Sequence, residues 1–396
     1  MRFPPPAEAG GFQRIIHMKD LAQPKSGSRL AYLDNIRIFL TALVIAHHAS
    51  IAFGGGGDWM VSDPVRNEIT SILLTYFTAV NQSYFMSAFF LLAGYFTPRS
   101  LEKKGPSTYL VDRLIRLGIP LLVYTTLIIN INRYLVQVVW LNQPFSWVWE
   151  YNPGHLWFLQ GLLVFAVIYV VYRIFSDRDP DHKRFQYFSD RFPPNRALIV
   201  SIAVLAILTF AVRIFIPIGE WIGGIQPAHF VHYIFCFFVG ILAYRGDWFS
   251  RLKGSQAKPW GIVALVMLPV FFVIAILGGA LEGEEQVAKL MGGAYWQNLA
   301  YCIWESIMLI AVLTFILYFF RERITQAGRL ERALAASVYT VYIIHQTIVI
   351  AIDIFFVPLS MPPALKFILV AIIAVPLCFG LGMLILKIPG TKRVLG

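Results

Sequence analysis

Residues 32–53 read YLDNIRIFLTALVIAHHASIAF, and this stretch decides the class of the molecule. As a helix it is about 33 Å long, enough for the hydrocarbon core of a bilayer. It nevertheless carries Asp34, Arg37, His47 and His48. A charged side chain at the centre of an inserted helix costs about 2.5–3.5 kcal/mol, so charges there mark function by default. Arg37 and His48 are eleven residues apart, about three turns, so they share one helix face roughly 16 Å apart along the axis. Asp34 lies one turn before Arg37 on that face, and His47 points about a quarter-turn away.

Composition supports a membrane protein. Of 396 residues, 58% are hydrophobic and 14% charged, a balance that could not cover a soluble surface. An aromatic content of 15% fits interfacial belts. The three cysteines, Cys236, Cys302 and Cys378, lie in apolar runs without CxxC or CxxH spacing. They read as small core residues rather than a disulfide framework or zinc site. Residues 1–28 are polar, Pro-rich and lack an h-region, which predicts a disordered cytoplasmic tail and no signal peptide.

Ten apolar segments predict an all-α integral membrane protein, a bundle of about ten transmembrane helices. They lie near 32–53, 70–96, 110–134, 155–175, 197–217, 229–245, 259–280, 296–320, 335–356 and 364–387. The second contains a polar break, Asn81-Gln82-Ser83-Tyr84. The tails and alternate loops hold 27 of the 33 Lys and Arg residues. The other loops and their edges hold only Arg66, Arg133, Arg213, Lys289 and Lys366, and the last of the 33 is Arg37. The positive-inside rule then predicts both termini in the cytoplasm. It also accounts for the net charge of +11 without nucleic acid. No Walker loop, GxGxxG or aromatic–basic RNA-binding pattern is present. The loop near 174–196 reads as a solvated linker.

This orientation assigns depth to the remaining polar residues. Asp34 and Arg37 fall near the cytoplasmic end of the first span, and His48 lies past its middle. His155, in His155-Leu156-Trp157-Phe158-Leu159, opens the fourth span from outside, as His229 and His232 open the sixth. Glu305 and His345 are mid-span, and Asp353 is toward the outer end of the ninth. Each has a plain alternative. Arg37 can snorkel to the headgroups. His345 and Glu305 can be interhelical hydrogen-bond glue, and the other histidines can be interfacial or structural. No short ligand spacing supports a metal beyond the His229/His232 pair, so none is expected.

Together these residues resemble the membrane acyltransferase-3 family. Arg37, ten residues and His48 match its signature in the first span, opened by Tyr32-Leu33-Asp34-Asn35-Ile36-Arg37. Phe89-Phe90-Leu91-Leu92-Ala93-Gly94-Tyr95-Phe96 is similar to its Phe-Phe-x-x-Ser-Gly-Tyr element, with Ala93 in place of serine, so a role for that hydroxyl does not carry over. Asp112 through Pro120, His155 through Leu159 and Tyr339-x-x-Tyr342-x-x-His345 also match, and the likeness covers about residues 29–392. Within the family, the His-Leu-Trp-Phe-Leu element and Ile388-Pro389-Gly390 look most like the glucan succinyltransferases, which modify osmoregulated periplasmic glucans.

The resemblance implies an acyl-CoA-dependent carbohydrate O-acyltransferase in the bacterial inner membrane. An acetyl or succinyl group from acetyl-CoA or succinyl-CoA would pass to a hydroxyl of a periplasmic or cell-surface glycan, with no tightly bound cofactor. His48, Arg37 and Asp34 are the expected catalytic set. His48 would act as general base or become transiently acylated. Arg37, Arg113 and Arg116 would bind the CoA phosphates. His155, Trp157, Glu305 and His345 would meet substrate. No soluble domain is expected after the tenth span. A rival expectation is a polysaccharide or lipid-linked sugar exporter with the polar stripe lining its path; only the enzyme is expected to bind acyl-CoA.

Overall fold

The computed structural model describes residues 28–176, 191–326 and 328–396, with side chains from residue 31 onward. The expected disordered tail and most of the 174–196 loop lie outside the described residues. Eleven long helices carry the architecture: α1 (Ser28–Ala52), α2 (Glu68–Gln82), α3 (Phe85–Lys104), α4 (Pro106–Trp140), α5 (Trp157–Ser176), α6 (Asn195–Phe215), α7 (Pro227–Arg245), α8 (Gly254–Leu277), α9 (Trp296–Arg323), α10 (Arg329–Phe356) and α11 (Pro363–Ile385). Among the described residues there is no strand, only an isolated bridge between Ile222 and Ile225. All-helical construction is the physical requirement here, because each backbone polar group in hydrocarbon needs an internal partner.

Nine of these helices are each long and apolar enough to cross a bilayer. The second predicted span is instead the pair α2 and α3, which the polar break separates at Ser83 and Tyr84. Ser83 and Tyr84 turn back onto the end of α2 through bonds to the Ala79 and Asn81 carbonyls. The protein is therefore a multi-pass membrane bundle. The third span is longer than its sequence pattern: α4 runs over 35 residues, with π-helical turns at Leu114–Gly118, Tyr124–Ile128 and Leu135–Trp140. Pro120 denies the ladder a donor, and such wide turns concentrate at functional positions.

The first span, α1, is the inner helix. It packs on α9, α10 and α11 and also touches α2 and α3. It has no Gly or Pro between Ser28 and Ala52, and it ends where Gly54 to Gly57 begin. Gly54 adopts φ +118, and a β-carbon there would fall 2.6 Å from the Ser71 hydroxyl. At α2 the Asn67 side chain accepts from the Thr70 N–H, capping the helix.

The closest helix pair is α3 with α7. A β-carbon on Gly94 would lie 2.1 Å from the Phe237 carbonyl, and one on Gly240 would lie 2.1 Å from the Leu91 carbonyl. The two backbones thus touch through small residues, which membrane helices use in place of a hydrophobic drive. This contact is the physical role of the glycine in the Phe89–Phe96 element.

Candidate functional site

The site is assembled around His48 from three helices and one loop. His48 stacks on Trp59, which stands in the loop after α1 (ring centroids 4.7 Å, interplanar angle 23°). On another side it meets His345 of α10 at 5.3 Å, and His345 in turn meets His155 at 4.5 Å. His47 presents its ring edge to His48 and packs on Phe85. Sequence positions 47, 155 and 345 thus converge on 48, although no local spacing connects them.

Hydrogen bonds assign the imidazoles different duties. The Tyr342 carbonyl lies 2.7 Å from His345 Nδ1 and 2.9 Å from His155 Nε2. A carbonyl only accepts, so both nitrogens carry hydrogen. His155 Nδ1 is also engaged, 2.6 Å from the Gln346 amide oxygen, which Tyr124 contacts through its hydroxyl. Tyr342 donates its hydroxyl to the His155 carbonyl. His155 is therefore held at both ring nitrogens. His345 is not: its Nε2 is buried and without a partner, as is Nδ1 of His48. With Nδ1 of His47, three ring nitrogens of this cluster are buried without a hydrogen-bond partner in the membrane interior. Tyr124 comes from the second π-turn of α4.

The basic end of the bundle is tied to this cluster along two helices. On α1, Arg37 lies 3.4 Å from Asp34, both partly exposed, so the expected pairing is present. Asn35 beside them donates to the Ile324 and Gln326 carbonyls, bringing the start of α10 alongside that of α1. On α10, Tyr339 donates its hydroxyl to the Arg116 carbonyl. His345 is six residues further on, about 9 Å along the axis. Arg113 and Arg116 are half-buried; Arg113 covers the Tyr109 ring and Arg116 faces Asp112 at 3.7 Å. Asp112 also pairs with Lys104 at 2.8 Å.

Glu305 and Trp157 do not join His48. Glu305 (1% exposed) lies 2.6 Å from the guanidinium of Arg213 (0% exposed), with His229 at 3.6 Å and His232 at 4.0 Å. Arg213 also donates to the Ala228 carbonyl and Cys302 sulfur and covers the Tyr301 ring. His232 contacts the Ser306 hydroxyl at 3.2 Å. Arg213 was counted among loop-edge charges from sequence, yet it is wholly buried at the α6–α7–α9 junction. His229 and His232, expected near the interface, are buried there with it. Trp157 stacks on Tyr233 at 5.3 Å, and Gln82 of the α2 break donates to the Tyr233 hydroxyl.

Sequence reasoning missed three participants. Trp59, Gln346 and Tyr124 carry no charge, so nothing in the hydropathy pattern marks them. A further buried pair, Asp63 with Lys366 at 2.7 Å, also went unread. Lys366 resembled an interfacial charge, but its ammonium also meets the Val357 carbonyl inside the bundle. Among the described residues no group of three or more His, Cys, Asp or Glu side chains is arranged to hold a metal ion.

A family profile described as an acyltransferase domain matches residues 30–383. The chain belongs to the acyltransferase-3 family. The glucans biosynthesis protein C of Escherichia coli K12 is 27% identical over 180 residues, 42% of this chain and 45% of that protein. The same protein from E. coli O1:K1 / APEC aligns with the same identity and coverage. The chain thus matches less than half the length of these curated relatives. No solved structure matches it.

Proposed function

We propose that this acyltransferase moves an acetyl or succinyl group from cytoplasmic acyl-CoA to a hydroxyl of a periplasmic or surface glycan, across the bacterial inner membrane. The observation that carries this reading is the contact of the His48 and His345 rings, each with an unclaimed nitrogen, on helices that lead back to Arg37 and Arg116. Buried polar atoms are nearly always hydrogen-bonded, so open ring nitrogens in a membrane interior favour chemistry over glue. The glycan acceptor rests on the likeness to the glucans biosynthesis protein C of E. coli.

In this mechanism Arg37, Arg113 and Arg116 hold the CoA phosphates, and Asp34 keeps Arg37 turned inward. The pantetheine arm follows α1 and presents the thioester at His48. A sugar hydroxyl enters from the opposite end. His48 removes its proton as the oxygen attacks the thioester carbonyl. The C–S bond breaks, an ester forms and CoA leaves as the thiol once reprotonated. Removing a proton at the transition state by a positioned imidazole accounts for about 10²–10⁴-fold in rate. His155, held at both nitrogens, shapes the site instead of exchanging protons.

Proteoliposomes of known orientation test the sidedness. Acyl-CoA is expected to support transfer only from the face bearing the Arg/Lys-rich loops, and the glycan only from the other. A requirement for both substrates on one face would exclude transfer across the membrane. Absence of acyl-CoA binding would favour an exporter.

A further inference from the structure

His48 has an unusual support. Imidazoles that work in catalysis are commonly oriented by a hydrogen bond to the second ring nitrogen. His48 Nδ1 has no such partner. What does touch the ring is a flat aromatic face, the Trp59 indole at 4.7 Å and 23°. Trp59 stands in the non-helical α1–α2 segment, so its own position needs an anchor. Asp353 supplies one: the indole Nε1–H donates to its Oδ2 at 2.9 Å, across 294 residues of sequence. Asp353 is fully buried near the end of α10, two turns beyond His345. The same loop is tied down by the Asp63–Lys366 pair and by the Asp63 N–H to the Ala52 carbonyl.

We propose that Trp59 and Asp353 are positioning residues of the transfer site: the Asp353 carboxylate holds the Trp59 indole against His48, and the stack fixes the orientation of the imidazole. This rests on the reading of His48 as the catalytic base. Neither residue need touch substrate. A stack restrains the ring plane while leaving both nitrogens unoccupied, which a hydrogen-bonded orienter would not. The carboxylate serves as an acceptor, so an amide oxygen can replace it.

The test compares four variants of the full-length protein in detergent or proteoliposomes. Trp59→Phe keeps an aromatic face and loses the N–H; Asp353→Leu loses the acceptor. Each is expected to lower kcat about five- to tenfold, the scale of one net hydrogen bond, with KM for acyl-CoA unchanged. The double variant is expected to be no worse than either single one, because both remove the same bond. Asp353→Asn is expected to retain at least half of kcat. In parallel, the rate at which diethyl pyrocarbonate modifies His48, read by peptide mass spectrometry without any substrate, is expected to rise severalfold in Trp59→Phe and Asp353→Leu and to stay unchanged in Asp353→Asn. Additive losses, or an Asp353→Asn variant as impaired as Asp353→Leu, would overturn the positioning role and make the carboxylate charge itself essential. Wild-type protein inactive toward every acyl-CoA would defeat the transfer reading, while the modification rates would still decide whether the clamp holds His48.

Discussion

Among the described residues, two groups of polar side chains inside the membrane bundle are built around histidines. Around Arg213, on α6, α7 and α9, a cation faces its counter-ion at 2.6 Å, with two histidines and a hydroxyl closing the circle. Around His48, on α1, α10 and the 3-10 turn before α5, the described residues supply no counter-ion in direct contact, and ring nitrogens of His47, His48 and His345 have no hydrogen-bond partner. The first arrangement neutralises charge and joins three helices. The second leaves ring nitrogens open, free to meet a ligand. The same residue types thus divide into a fastener, where buried charge is paired, and a reaction centre, where no charge is paired and ring nitrogens are open.

The contrast can be broken most sharply at its open end. His48→Ala is expected to lower transfer by three to four orders of magnitude, the upper range for loss of a general base. The protein should still elute as a folded species from size-exclusion chromatography. Glycan acylation at the wild-type rate would remove His48 from the chemistry.

The closed end should respond in stability instead. Arg213→Ala leaves Glu305 buried and unpaired, at an expected cost of about 3–5 kcal/mol, read by thermal unfolding in detergent. Arg213→Met combined with Glu305→Leu removes both charges and is expected to recover most of that loss while retaining transfer. A stable but inactive double variant would place Glu305 in the substrate machinery, and the distinction between the two clusters would collapse.

Smaller changes sharpen the edges of the open cluster. Arg37→Lys keeps charge but loses two-pronged contact with phosphate, and is expected to raise KM for acyl-CoA about tenfold. An unchanged KM would reduce Arg37 to a topology signal. His47→Ala is expected to cost less than about threefold in kcat, because the ring packs on Phe85 and meets His48 only by its edge. Equal loss from His47→Ala and His48→Ala would mean that the two rings act as one unit.

Much of the fold was legible because membrane helices answer to local rules. About twenty apolar residues make a span whatever follows them, and every backbone bond closes within the segment. The bundle, the break at Asn81–Tyr84 and the Asp34–Arg37–His48 face of α1 were therefore readable from residue order. The remainder of the candidate site was not. Trp59 and Asp353 are 294 residues apart, and His155 meets Gln346 across 191. Arg213 and Lys366 carry the same charge as interfacial residues, and only packing shows that Glu305 and Asp63 neutralise them in the interior. Hydropathy along one segment sets whether a helix forms and where it crosses. Which faces of two helices meet depends on shape matched between distant segments, such as Gly94 against Gly240. Residue order alone thus determined a helical membrane bundle with a polar stripe on its first span. Tertiary packing decided which polar groups close on one another and which stay open beside His48.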